Sequence, residues 1–339
     1  MPPEKPIIIC TRGSALALAQ ANLIAAECRR NFPQLRFELQ IIKTTGDKLQ
    51  KASLAKVEGG LPKGLFTKEL EVALAEGTAD MAVHSLKDLP TELPAGLVLA
   101  ATPERADVRD VLIYRDADFP GNQKFESQNA KSTGAAALKG LQPHTALKNF
   151  PRGATIATSS TRRKAQLLVA RPDLKLVEIR GNVTTRLQKV ADRAELDATV
   201  LALAGLSRLN FTISNDGKLH GDAVPEGLLA SVLGLDEMLP AVGQGAIGIE
   251  IRANDERIAT ICERLNHLDT FQCVTAERAF LAGMGGGCQS PVAAYGEIVN
   301  DKIFLRAISF ANGPMRRAEG KRPFREAAEL GRQLAVELK

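Results

Sequence analysis

GLFTKELEVALAEG, residues 64–77, and ADMAVHSL, residues 79–86, set a helix directly before a strand. In the first, apolar residues recur at helical spacing and Gly77 closes the last turn. The second is a short apolar run that reads as a strand. The alternation extends outward in both directions. PIIIC (6–10) reads as a buried strand, TRGS breaks it, and ALALAQANLIAAECRR (15–30) has helical spacing and ends in cations. LRFELQIIK (35–43) and GLVLAA (96–101) read as strands. Strands alternating with helices predict an α/β chain with a mostly parallel, doubly wound sheet.

Residues 116–153, rich in Ser, Asn, Gln, Gly and Lys, read as a surface loop. The rhythm then restarts. Strands are expected at 154–158, 174–179 and 198–204, with helices at 160–170 and 182–192 between them. AIGIEIR (246–252) alternates and is expected to rejoin the first sheet. Two helices follow, then strands near 292–298 and 303–309, then a helix from about 324, which is a small α+β domain. The expected division is 1–104 with 242–264, then 105–241, then 265–339. The two α/β halves share a pattern but no sequence repeat.

The 339 residues carry 44 Lys+Arg against 39 Asp+Glu, a net charge of +5. That is too mild for a nucleic-acid coat, and with no Trp and two Tyr no base-stacking platform is evident. MPPEKPIIIC does not read as a signal peptide, and no apolar run is long enough to span a bilayer. Five cysteines without a C-x-x-C predict a reduced, cytoplasmic protein with no disulfide framework.

Arginines recur where strands meet helices. Arg12 stands beside Ser14, and Arg162 and Arg163 follow TSST, which holds Thr158 and Ser160. Arg180 precedes Gly181–Asn182, Arg186 is one turn into the next helix, and Arg208 follows strand 198–204. A cation in a first helical turn opposes the macrodipole by roughly 0.3–1 kcal/mol. Singly, each reads as a solvated surface arginine. As a set at strand ends they predict a site for planar acids shared with helix N–H groups. In VHSLKDLP (83–90), Lys87–Asp88 closes a strand; Asp88 is either a general acid–base group or a turn residue before proline. His84 reads as a core histidine, and no second His is spaced to make a metal site. VGQGAIG (242–248) fits G-x-G-x-x-G, yet a strand rather than a helix follows it, so it reads as a close-packed turn or hinge. Cys288 ends GGGC (285–288). A lone cysteine there is more often a buried thiol beside a tight turn than a nucleophile or attachment point.

In order along the chain, TRGSALALAQ, KGLFTKELEVALAEGTADMAVHSLKDLP, TSSTRRKAQL, IRGNVTTRL, LALAGLSRL, LPAVGQGAIGIE, TAERAFL and GGGCQSPV resemble the porphobilinogen deaminases, the hydroxymethylbilane synthases of tetrapyrrole biosynthesis. The resemblance implies two domains like those of periplasmic binding proteins plus a third. It implies a dipyrromethane cofactor held through a thioether to Cys288. It implies condensation of four porphobilinogens head to tail with loss of ammonia, then release of hydroxymethylbilane by water. Asp88 matches the catalytic aspartate, with Lys87 beside it. Arg12, Ser14, Lys63, Thr158, Ser160, Arg162, Arg163, Arg180, Arg186 and Arg208 would contact cofactor or substrate acids. It further implies a monomer with no nucleic-acid or membrane partner that hands its product to the next pathway enzyme.

Some features depart from the family pattern. KVEGGLPKGLF is longer than the usual GGKGLF, which bears on Lys63. Gly13, Ala15 and Ala19 stand where Gln, Pro and Trp are frequent, and 116–153 is a longer connection than usual. Two rivals use similar cations. One is a non-enzymatic carboxylate-binding protein of bilobed fold, and the other is the ligand-binding domain of a transcription factor. Both require an unmodified Cys288.

Overall fold

The computed structural model describes residues 5–46, 64–120, 140–287 and 290–339. These divide into two compact units, Met1–Ala106 with Ala241–Lys339, and Asp107–Pro240.

In chain order the first unit opens with β1 (Ile7–Arg12), α1 (Ala15–Asn31), β2 (Phe37–Ile42), α2 (Lys68–Ala75), β3 (Met81–Ser85) and β4 (Leu97–Ala101). The second unit holds β5 (Asp110–Arg115), β6 (Thr155–Ala157), α3 (Thr161–Ala170), β7 (Lys175–Val177), α4 (Val183–Asp192) and β8 (Ala198–Ala202). It continues with α5 (Leu203–Arg208), the short pair β9 (Thr212–Ile213) and β10 (Leu219–His220), and β11 (Leu228–Val232). The chain then returns to the first unit with β12 (Ile247–Arg252), α6 (Glu256–Leu265) and α7 (Leu268–Gly283). It ends with β13 (Val292–Val299), β14 (Lys302–Ser309), β15 (Arg316–Pro323) and α8 (Ala327–Leu338).

The first sheet has the order β2-β1-β3-β12-β4, and the second has β7-β6-β8-β5-β11. In each, four strands run in one direction and the other, β12 or β5, runs against both its neighbours. The two sheets thus share one topology, although the halves share no sequence repeat. Residues 246–252 rejoin the first sheet as expected. The strand that enters the second unit and the strand that returns from it fill the same slot.

Alternation along β1 shows why the sheet is covered on both faces. Ile7 and Ile9 pack with Ile24 and Cys28 of α1 and with Ile258 and Ile261 of α6. Cys10 packs on the opposite face with Leu70 and Leu74 of α2. Each such Ile or Leu contributes roughly 1.5–3 kcal/mol by leaving water. In the C-terminal segment, α7 and α8 cover one face of the three-stranded sheet β13-β14-β15 with a core of its own.

The structure corrects three readings. Residues 110–115 form β5, buried at all six positions, where no strand was expected. Residues 316–323 form β15, an edge strand, whose charged sequence hides it because only Ala318 is buried. The reading of 116–153 as surface loop fails at Leu147 and Phe150, both 4% exposed. The Phe150 ring meets Tyr114 edge-on at 5.5 Å between centroids.

Candidate active site

Every site residue expected from the sequence and described in the structure lies at or just beyond the carboxyl end of a parallel strand or in the helix that follows it. In the first unit, a small depression of about 70 Å³ is lined by Arg12, Ser14, Gln20, Phe66, Ser85 and Asp88, among others. Arg12 ends β1, and its guanidinium carbon lies 4.1 Å from the centroid of the Phe66 ring. Ser14 caps α1, its Oγ accepting from Ala17 N at 3.3 Å. The Gln20 side chain and Ser85 Oγ are hydrogen-bonded at 3.0 Å. Leu86, Lys87 and Asp88 form one 3₁₀ turn after β3. Leu86 is buried, Lys87 half-buried and Asp88 exposed. Behind them His84 Nε2 lies 2.9 Å from Glu250 Oε2, both side chains buried, so His84 is the core histidine its strand position implied.

In the second unit Ser160 caps α3, accepting from Arg163 N at 3.4 Å, and buried Thr158 accepts from Ser160 N at 3.3 Å. Asn182 caps α4, accepting from Thr185 N at 2.8 Å. Arg186 Nε donates back to Gly181 O at 2.9 Å. Arg180 is exposed and meets Glu178 at 3.3 Å, a surface pair of little energetic weight. Arg208 is half-buried, and desolvation lowers its pKa to about 10.

Arg162 and Arg163 depart from the surface reading. They are 4% and 6% exposed and turn inward onto Asp110, at 2.8 and 2.7 Å. Arg162 also donates to Leu239 O at 2.6 Å, and Arg163 to Val200 O at 2.9 Å. Burial pushes the Asp110 carboxyl up, but the two guanidiniums outweigh it and hold it well below the usual carboxylate range. The reason is local electrostatics: two adjacent cations in a dry helix start require an internal carboxylate. The Nε atoms of both arginines remain buried without a partner.

Among the helices of eight or more residues, α1, α3 and α4 have no acidic residue in the first turn, and the six-residue α5 has none either. α2, α6, α7 and α8 each have at least one. An acid in that turn is the ordinary complement to the macrodipole. The three longer helices without one are those flanked by Arg12, by Arg162 with Arg163, and by Arg180 with Arg186, while α5 ends in Arg208. Such helix starts, with N–H groups and guanidiniums together, are chemically able to accept acids from a ligand.

VGQGAIG forms a turn and then β12, with no helix after it, as a packed turn requires. Among the described residues no cluster of three or more His, Cys, Asp or Glu is arranged to hold a metal. Lys63 and Cys288 lie outside the described residues. Sequence reasoning missed Gln20, Phe66 and Ser85, although all three stand inside the quoted motifs. It also missed Asp110, whose partners are 52 and 53 residues away.

A family model described as "Porphobilinogen deaminase, dipyromethane cofactor binding domain" matches residues 7–260, and "Porphobilinogen deaminase, C-terminal domain" matches residues 271–339. The porphobilinogen deaminase of Chlorobium phaeobacteroides (strain BS1) is 41% identical over 347 residues, covering 99% of this chain and 95% of that one. The porphobilinogen deaminase of Geobacter sulfurreducens is 41% identical over 332 residues, covering 97% and 90%. Among solved structures, the periplasmic aliphatic sulphonate binding protein SsuA from Escherichia coli aligns over 83% of this chain and 70% of that one. Its TM-score of 0.37 at 11% identity is too weak to carry a conclusion.

Proposed function

The chain belongs to the porphobilinogen deaminase family, the hydroxymethylbilane synthases of tetrapyrrole biosynthesis, and from that premise we propose which of its residues carry the reaction. The family's dipyrromethane supplies, when bound, the pyrrole end on which four porphobilinogens are joined. The residues present suit such a group. The two Nε–H donors on Arg162 and Arg163 are buried and unpartnered, and two cations around one carboxylate leave a local charge of +1. A ligand acid satisfies both conditions.

Arg12, Ser14, Thr158, Ser160, Arg162, Arg163, Arg180, Arg186 and Arg208 bind the acetate and propionate groups. The observation that carries this assignment is that α1, α3 and α4, alone among the described helices of eight or more residues, start without an acid, each with arginine beside it. Lys63 joins them on the family resemblance alone. Asp88, at the rim of the Arg12 depression, acts as a carboxylate. It offsets positive charge on the incoming pyrrole and assists departure of ammonia, with Lys87 placing substrate acids beside it.

Cys288 is the attachment point. Burial pushes Cys10, Cys28, Cys262 and Cys273 up to about 12, which leaves them as un-ionised core thiols. Cys288 is the remaining one of the five cysteines. The division into 1–104 with 242–264, 105–241 and 265–339 serves as the working domain scheme. The enzyme works as a cytoplasmic monomer that passes its product to the next pathway enzyme and has no nucleic-acid or membrane partner. Reduced core thiols and modest net charge support this placement. No helix among the described residues is long and apolar enough to cross a membrane.

The test is the intact mass of the purified protein with peptide mapping. The expected result is an excess of two condensed pyrrole units on the Cys288 peptide, lost in Cys288→Ser. A chain still unmodified after incubation with porphobilinogen overturns the reading in favour of a carboxylate-binding protein.

A further inference from the structure

TAERAFL, residues 275–281, has no part in the reaction as assigned above. In the structure it lies within α7 and supplies Glu277 and Arg278. The Arg278 side chain leaves the helix for the segment directly after Asp88. Its Nη1 donates to Leu89 O at 3.1 Å, and its Nη2 donates to Pro90 O at 2.6 Å and Thr91 O at 3.3 Å. One turn earlier on the same helix, Val274 packs with Leu86 and Leu89, the apolar residues that bracket Lys87–Asp88. Glu277, fully buried, accepts from Gly243 N at 2.7 Å, and Gly243 abuts Leu86 and Lys87. One helix therefore grips the Asp88 turn through an apolar contact, three carbonyls and a glycine backstop.

Three carbonyls of consecutive residues converging on one planar guanidinium fix a short segment in a way a single ammonium does not. Burial lowers the Arg278 pKa to about 10, partly offset by Glu250, so it stays charged at neutral pH.

We propose that Arg278 is a positioning residue for Asp88, acting through the carbonyls of residues 89–91. This rests on the reading of Asp88 as the charge-offsetting carboxylate. Loosening the turn leaves the arginines that hold most of the substrate acids where they are and disturbs only the Lys87 contact among them, but the Asp88 carboxylate meets the reacting atoms less often. Misplacement of a catalytic group by about 1 Å costs up to roughly a hundredfold in rate.

The experiment uses cofactor-loaded enzyme and steady-state kinetics with porphobilinogen. Arg278→Met is expected to lower kcat by roughly tenfold to a hundredfold with KM changed less than about twofold. Arg278→Lys recovers part of that loss. In an Asp88→Glu background, where the carboxylate is already displaced, Arg278→Met costs less than about twofold more. If Arg278→Met does not load cofactor, the same comparison is made with Arg278→Lys. An unchanged kcat, a loss confined to KM, or full multiplicative loss in the double variant overturns the proposal. Retained turnover in Asp88→Asn instead overturns the reading of Asp88 itself, whatever Arg278 does.

Discussion

Gly243 stands against the backbone of Lys87: a Cβ added to it would lie 3.2 Å from Lys87 N and 3.1 Å from Leu86 Cγ. Its φ is +71°, in the left-handed region that costs other L-residues roughly 1–2 kcal/mol. Gly243→Ala therefore strains the backbone and also pushes the Asp88 turn. Gly77 supplies the control, with φ of +71° and nothing within 4 Å of its added Cβ. Both alanine variants are expected to lose about 1 kcal/mol or more of stability in thermal unfolding. Only Gly243→Ala should also lose turnover in the cofactor-loaded enzyme. Equal turnover in the two variants removes the contact from the account of the site.

Asp110 is the counter-ion for two buried guanidiniums, so its replacement leaves both uncompensated. Asp110→Asn is expected to cost on the order of 3–5 kcal/mol in denaturant unfolding. The pH dependence has a definite sign. The folded carboxyl lies below the unfolded value of about 3.9, so its stabilisation is fully present above that pH. It is lost as pH falls through the lower folded value, which places the window below about pH 4. Unfolding midpoints of the parent should drop faster in that window than those of Asp110→Asn. Parallel curves would show that the pair does not govern acid sensitivity.

The four described cysteines give a chemical prediction. Thiols pushed up to about 12 are almost wholly protonated at pH 8, and burial removes them from reagents as well. Native protein treated with an alkylating reagent should show no adducts at Cys10, Cys28, Cys262 or Cys273. Cys288 should be alkylated only in protein lacking the cofactor. Unfolding in denaturant should expose all four core thiols. Rapid native labelling of any core thiol contradicts the burial assigned to it.

The readable parts of this chain were those with local signatures. α1 and α2 have helical spacing, and α3 and α4 lie within a residue of the limits expected from periodicity and caps. β5 was not read because its charged ends, Asp110 and Arg115, interrupt the apolar pattern. Both are buried, Asp110 on Arg162 and Arg163, Arg115 on the carbonyls of Val190, Arg193 and Leu196. A charge neutralised 50 or more residues away looks like surface until the fold brings its partner. For the same reason Arg162 and Arg163, expected among the acid-binding arginines at strand ends, were not expected to turn inward onto Asp110. Gln20 and Ser85 were passed over because their hydrogen bond spans 65 residues. The strand-end positions of Asp88 and Arg12 were legible locally, whereas the role given to Asp88 came from the family resemblance.

Arg12 offers the sharpest test of why the site uses guanidinium groups. Stacked at 4.1 Å over the Phe66 ring, it has its plane held by an aromatic face as well as carrying charge. Arg12→Lys keeps the charge and loses the fork and much of the stacking. The stack is worth roughly 0.5–2 kcal/mol and one charged hydrogen bond roughly 1.5–3 kcal/mol. Together these predict a fall in kcat/KM for porphobilinogen of roughly thirtyfold to a few thousandfold. Phe66→Leu keeps apolar bulk, removes only the ring, and should cost less, about twofold to thirtyfold. If Arg12→Lys matches the parent, net charge suffices at this position and planar recognition of acids does not operate there. If Phe66→Leu costs as much as Arg12→Lys, the ring rather than the fork sets the geometry of the depression.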